Sequence, residues 1–593
     1  MDDELNGVRP MNAMHVATEE VFKNRNKFII IGLTGRSGSG CSRAADILSG
    51  DLEYIDLPQV CLSPTSKDTD RKKFITYNFA KQNWKPFFRI RVGDIIASFI
   101  LGCTYADFSA YIQTTFSIDI TPLKNTFDEF VLKNKCLDNI NTGRLSDVNK
   151  ELIFEYISKE LCQFSTELKM YFGDESDGRY TSVFQKIGNN IRKYGSAIPK
   201  ENAGANNIYA LAERINRLIK ILRKHNSMCN TCSYFVIDAF RNPFEAIFFQ
   251  ERYSAFYLFA VRCPDEDRID RLINTYNFSR EKISDIDTRE YPKEAPLDSI
   301  DAFVSQDVAT CIQISDIHID NAGKNNNTNL NELKEQIVRY VSLIQHPGLI
   351  NPSTDEKMMQ IAYTAKLNSG CLSRKVGAVV TNSAGALKAI GWNSSPEGQT
   401  SCLLRNANIM VSNADPNAYS KYEQTDKKII SIAKEYSKSF IQNMSDRGLN
   451  CSFCFKDFQN KKDNKGNQVH NRALHAEENA FLQVAKFGGE GLLGGKLYTT
   501  ASPCDLCSRK AFQLGIKEIY YIDPYPGIAV DHVLMVGSDP PKLILFRGAI
   551  GSAYHRLYSS ILPYKDELYS YMNEDFFEKA VKQSDSTITK QER

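Results

Sequence analysis

Two fragments, LHAEENAFLQVAKFG from Leu474 and LYTTASPCDLCSRKAFQLG from Leu497, constrain the fold more than any other part of the chain. In the first, Leu474, Ala480, Phe481, Val484 and Ala485 make an apolar stripe at helical spacing, with His475 and Glu477 in the opening turn. In the second, Leu497 to Ala501 has strand character, Ser502-Pro503 stops it, and a helix is predicted to begin near Cys504. Cys504 and Cys507 then lie on one side of a single helical turn. The partial positive charge at a helix N-terminus favours the thiolate form that binds metal. His475, Cys504 and Cys507 are therefore candidate zinc ligands, and the fold must bring the two helix starts together. Three protein ligands leave one tetrahedral position for water, as catalytic sites do; a structural zinc is the alternative. Glu477 is better placed to move protons than to join the ligands.

At 593 residues the chain is too long for one ordinary core, and about two or three domains are expected. The 73 basic and 71 acidic side chains leave a net charge of +2, which gives no overall field to attract nucleic acid or an anionic membrane. No apolar run approaches the roughly 18 to 20 residues of a membrane span, and the opening MDDELNGVRPMNAMHVATEE is not a signal peptide. Fifteen scattered cysteines, among them the CxxC pairs Cys451/Cys454 and Cys504/Cys507, then argue for reduced thiols and metal ligands in a cytoplasmic protein.

Residues 1–26 read as a polar lead. Phe28 to Leu33, Tyr234 to Asp238 and Phe256 to Val261 read as buried strands separated by helical stretches, which predicts a largely parallel α/β sheet over 27–315. The polar, Asn-rich DIHIDNAGKNNNTNLNE from Asp316 reads as a linker, running into a connecting helix to residue 350. Residues 351–572 form the second domain, KDFQNKKDNKGNQ from Lys456 reads as an insertion loop within it, and 573–593 as a disordered tail.

The order H-x-E, then P-C-x-x-C, is the signature of zinc nucleobase deaminases. Together with SRKVGAVV from Ser373, AIGWNSSP from Ala389 and KEIYYIDPYP from Lys517, it makes residues 355–568 resemble the deoxycytidylate deaminase family of the cytidine deaminase superfamily. The resemblance implies an α/β/α sandwich around a mixed sheet, with Glu477 as catalytic acid and base. It also implies that Asn393 contacts the sugar and that Tyr521 lies near the substrate. Cys451 and Cys454, with His470 and Cys402, are a candidate second, structural zinc site.

Gly35, Arg36, Ser37, Gly38, Ser39, Gly40, Cys41 and Ser42 lie between a predicted strand and helix, where a phosphate-binding loop belongs. Cys41 stands where the G-x4-G-K-[ST] pattern has lysine, which suits binding better than phosphoryl transfer; Arg43, Arg268 or Arg271 are candidates to compensate. Ser42 is a candidate to hold Mg²⁺ with a nucleoside triphosphate. VIDAFRNPFEAIFF and VRCPDEDRIDRL resemble the second-strand and lid segments of nucleoside-monophosphate kinases, so the first domain is expected to be a P-loop kinase-like parallel sheet. A glycine-rich turn that binds no nucleotide is the alternative.

A kinase-like module joined to such a deaminase resembles the bacterial antiphage dCTP deaminases. That resemblance implies conversion of dCTP to dUTP, and of dCMP to dUMP, which depletes deoxycytidine nucleotides during infection; the loop lacking its lysine is expected to bind a regulatory nucleotide. A homo-oligomer without stable DNA binding is expected. A housekeeping dCMP deaminase, a polynucleotide cytosine deaminase and an active kinase with a structural zinc are the other readings.

Overall fold

The computed structural model describes residues 13–138, 153–173, 179–200, 205–291, 300–323, 330–412, 415–466, 469–524 and 529–572. The expected tail 573–593 lies outside them. The chain divides into two compact units, one of residues 1–351 with 552–593 and one of residues 352–551. The helices Gly551–Tyr558 and Tyr564–Tyr571, which the sequence reading put in the second domain, thus fall almost wholly in the first unit.

The first unit is built on parallel strands β1 (Phe28–Thr34), β2 (Phe88–Arg91), β3 (Ser233–Asp238), β4 (Phe256–Arg262) and β5 (Ile317–Asp320). FIIIGLT and FYLFAVR are buried at every position, as strands covered on both faces must be. Their order is β5-β4-β1-β3-β2, so β1 has later strands on both sides. Ligand crevices in such sheets open at the carboxyl ends of strands where the order reverses. Residues 35–42 leave β1 at that end.

The polar run from Asp316 is not a linker at its start: Ile317–Asp320 is a fully buried strand paired with β4. Alternation with buried Ile317 and Ile319 was masked by the polar residues around them. Residues 13–25, expected as polar lead, form a helix. No single described helix is long and apolar enough to cross a membrane.

The second unit has a five-stranded sheet of β6 (Gly377–Thr381), β7 (Leu387–Trp392), β8 (Lys496–Ala501), β9 (Glu518–Asp523) and β10 (Lys542–Leu545), ordered β10-β9-β8-β6-β7. β6 is antiparallel to β7 and β8, whereas β8, β9 and β10 are parallel, which is the mixed sheet expected. Strand alternation sends Ala378 and Val380 to a core with Ala476, Ala480 and Ala511. It sends Val379 to the opposite core with Met359 and Ala362 of the helix Thr354–Ala365. The sheet therefore has helices on both faces.

The described residues between Pro396 and Leu474 form a side module with its own core of Ala407, Met410, Tyr419, Ile429, Phe453 and Phe458. KDFQNKKDNKGNQ is not a loop over its first half, because Phe455–Asp463 is a helix that buries Phe458 in that core. Ser394 and Leu474 pair as a β-bridge, with Leu474 N–H donating to Ser394 O at 2.9 Å. The module's two ends are thus held together, and the long insertion leaves the sheet undisturbed.

Candidate active site

His475 caps the helix Ala476–Phe487 in extended conformation, and Cys504 does the same for the helix Asp505–Gln513, with Cys507 in its first turn. The first helix lies directly on β7. A Cβ on Gly391 would come within 2.1 Å of Ala476 O, so only glycine allows the approach. Asn479 Nδ2 donates to Trp392 O at 3.0 Å and fixes the helix along that strand. Lys510 pairs with Glu478, joining the two helices one turn beyond the ligands.

Cys504 Sγ lies 3.2 Å and Cys507 Sγ 3.5 Å from His475 Nδ1, and all three ligand atoms lie within 4.8 Å of one another. Tetrahedral zinc bonded to sulfur at about 2.3 Å and nitrogen at about 2.0 Å sets the S···N edge at about 3.5 Å. The donor set and its spacing fit zinc. Cys507 donates to Cys504, which holds the Cys504 thiol down to about 3 despite partial burial, with His475 assisting. The Cys507 thiol is pushed up because it keeps the shared proton, and burial adds to this. A cation that replaces this proton converts both sulfurs to ligands. His475 is raised by its hydrogen bond with Cys504, against burial.

Glu477 is buried beside the cluster, and burial pushes its carboxyl up. Thr499 on β8 lies with Oγ1 3.0 Å from Glu477 Oε1 and 2.8 Å from Ala501 O. One hydroxyl proton serves both contacts in turn. Thr499 donates to an ionised Glu477; a protonated Glu477 donates to Thr499, whose own proton turns to Ala501 O. The carboxyl can therefore change charge without leaving a polar partner unmet. No feature of LYTTA singled out Thr499; only its place on the strand beside the helix does.

Asn393 directly follows β7, and its amide serves the backbone. Nδ2 donates to Arg374 O at 2.7 Å and Oδ1 accepts from Val376 N–H at 2.7 Å, which braces the turn entering β6. Tyr521 sits on β9 in register with Thr499. Asp523, two residues further along, pairs with Arg374, and Asp523 O accepts from Ser502 N–H at 2.8 Å just before the cysteine turn. The sequence reading missed both Arg374 and Asp523.

The candidate second metal set is brought together only in part. Cys454 donates to Cys402, holding that thiol down to about 6. Cys451 is buried in the side module's apolar core. Among the described residues, the His/Cys group that converges as a metal site is His475, Cys504 and Cys507, and Cys402, Cys451, Cys454 and His470 form no such group.

In the first unit, Gly35–Ser42 joins β1 to the helix Cys41–Ser49. Gly40 has φ 105°, and a Cβ there would meet Asn321 Nδ2 at 2.1 Å. Three successive carbonyls are tied back: Ser37 O accepts from Arg268 at 3.2 Å, Gly38 O from Arg271 at 3.4 Å and Ser39 O from Asn321 at 2.8 Å. Arg268 and Arg271 thus brace the loop's carbonyl side, and Arg271 also lines the cavity beside it. Cys41 is buried, its thiol pushed up to about 12 by desolvation. A cavity of about 570 Å³ lies beside the loop, lined in part by Ser37, Gly40, Ser42, Asp238, Arg241 and Phe184.

Residues 352–523 match the family described as the cytidine and deoxycytidylate deaminase zinc-binding region. The deoxycytidylate deaminase of Enterobacteria phage T4 is 28% identical over 178 residues, which are 28% of this chain and 77% of that protein. That of Schizosaccharomyces pombe is 26% identical over 182 residues, 30% of this chain and 40% of that protein. A dCMP deaminase from the cyanophage S-TIM5, solved with dCMP and dUMP, is 22% identical; the match covers 33% of this chain and 99% of that one, with a TM-score of 0.20.

Proposed function

From a second unit that carries a deoxycytidylate-type deaminase region, we propose that this chain hydrolyses the exocyclic amino group of free deoxycytidine nucleotides, dCTP to dUTP and dCMP to dUMP. The observation that carries the proposal is the buried Glu477 carboxyl beside the convergent His475, Cys504 and Cys507. These three would hold the zinc. When bound, zinc supplies the Lewis acidity that makes a water nucleophilic near neutral pH.

Glu477 takes one proton from the attacking water and gives it to the pyrimidine ring nitrogen, then takes the second from the hydroxyl now on C4 and gives it to the departing amino group. A C4–O bond forms, the C4–N bond breaks, and ammonia leaves. Thr499 steadies each charge state of Glu477. Asn393 and Tyr521 border the substrate.

The biological role proposed is depletion of dCTP as a defence against phage, with the first unit binding a regulatory nucleotide and Mg²⁺ through Gly35–Ser42. Housekeeping dCMP deamination is the second reading, favoured by the deoxycytidylate deaminases among the relatives. The test is incubation with dCMP, dCTP, CMP, CTP and a cytosine-bearing oligonucleotide, following uracil products. Turnover of dCTP supports the depletion role; turnover of dCMP alone selects the housekeeping one. Turnover of only the oligonucleotide overturns both.

A further inference from the structure

The anion position of the phosphate loop is already answered by the protein itself. Glu290, the last residue of the helix Arg280–Glu290, is fully buried, and its carboxylate accepts from the Ser37 N–H at 2.9 Å. It also accepts from the Ser37 hydroxyl and from the Arg241 guanidinium. A backbone N–H, a hydroxyl and a guanidinium converging on one group is the donor set that recognises a phosphate oxygen. A second acid of the same helix, Asp287, accepts from Arg268 at 2.7 Å and lies 2.9 Å from Arg36. The helix is thus fastened to the loop by two carboxylates. Its Ile286, with the preceding Phe278, lines the cavity of about 570 Å³ onto which Ser37 and Arg241 open.

We propose that Glu290 is a built-in competitor of the first unit's ligand. A nucleoside polyphosphate entering the cavity takes over the Ser37 N–H and Arg241, expels the Glu290 carboxylate, and releases the C-terminal end of the helix Arg280–Glu290 from the loop. The inference rests on the reading of Gly35–Ser42 as a phosphate loop. Two anions in contact on the same donors repel strongly in a partly buried site, so phosphate and carboxylate exclude each other. The pinned carbonyls of Ser37, Gly38 and Ser39 keep the loop's shape through the exchange. Occupancy is then converted into a displacement of a helix, which a passive phosphate loop cannot do. The competition also lowers apparent affinity by the fraction of molecules in the released state.

The test is titration calorimetry of the full chain with Mg²⁺ and ATP or inorganic triphosphate, comparing wild type with Glu290→Gln. The amide keeps the size and the acceptor oxygen but removes the charge. Binding about tenfold tighter or more in the variant is expected. In parallel, saturating ATP should raise hydrogen exchange of residues 280–290 in wild type, a readout that does not depend on the variant folding. Equal affinity in the two proteins, or unchanged exchange with ligand bound, overturns the competitor and leaves the phosphate loop standing. Binding of none of these ligands by either protein overturns the phosphate loop, and the competitor with it.

Discussion

At Cys504 the chain leaves a strand, turns through Ser502 and Pro503, and enters a helix; at Cys41 it leaves another strand, turns through Gly38 and Gly40, and enters another. Both turns present polar groups at a helix N-terminus, but they meet charge in opposite ways. At the first, two thiols and an imidazole crowd around one another with a shared proton, and only a cation satisfies them together. At the second, the Ser37 N–H and Arg241 already have an anion, supplied by Glu290. The difference teaches that the same backbone device makes a site that demands its ligand or one that must exchange for it, according to what the rest of the fold delivers.

The sharpest way to break this comparison is to take the metal away. Chelation, or Cys504→Ser with Cys507→Ser, is expected to abolish deamination, and metal analysis of wild type to give about one zinc per chain. A second equivalent lost on replacing Cys402 and Cys454 would restore the second site that the geometry does not assemble. Next in size is Glu477→Gln, expected to retain zinc while losing on the order of 10² to 10⁴ in turnover. Turnover and zinc content measured on one preparation separate a proton carrier from a ligand.

At the other turn, Gly40→Ala with Ser42→Ala should remove any nucleotide effect on the deaminase, a coupling of about 5- to 150-fold. Zinc content should be unchanged. Titrating nucleoside triphosphates against the rate of variant and wild type checks this, and a response preserved in the variant counts against the loop as sensor. Lys510→Met should weaken zinc retention only about 2- to 5-fold, because its pair with Glu478 is partly exposed. Competition with a chromogenic chelator measures it.

The smallest effect is in the first unit's stability. Burial pushes the Asp94 carboxyl up to about 6 from 3.8, against help from Ser165 and nearby arginines. The folded chain therefore keeps a proton that the unfolded chain releases. The stability it contributes is present below about pH 4 and is lost as pH rises towards 6. Asp94→Asn should show a higher melting temperature than wild type above pH 6 and little difference at pH 4; a constant difference would contradict the burial argument.

What could be read from the residues alone was local. His475, Glu477, Cys504 and Cys507 were legible because each pair lies within one turn of a helix whose start is marked by apolar periodicity and by Pro503. The glycine loop was legible because a continuous apolar run precedes it and its glycines allow a backbone that other residues resist. Helical and strand periods extend over a few residues, so they carry such information faithfully. They carry none about which distant segment completes a site. Thr499 acts on Glu477 across 22 residues, and Glu290 reaches Ser37 across 253. Neither stands out in its own segment, and the strand at Ile317–Asp320 was hidden by its polar neighbours. Those partners are decided by strand order and by how helices settle on the sheets, through burial and charge pairing that exist only once the chain has folded.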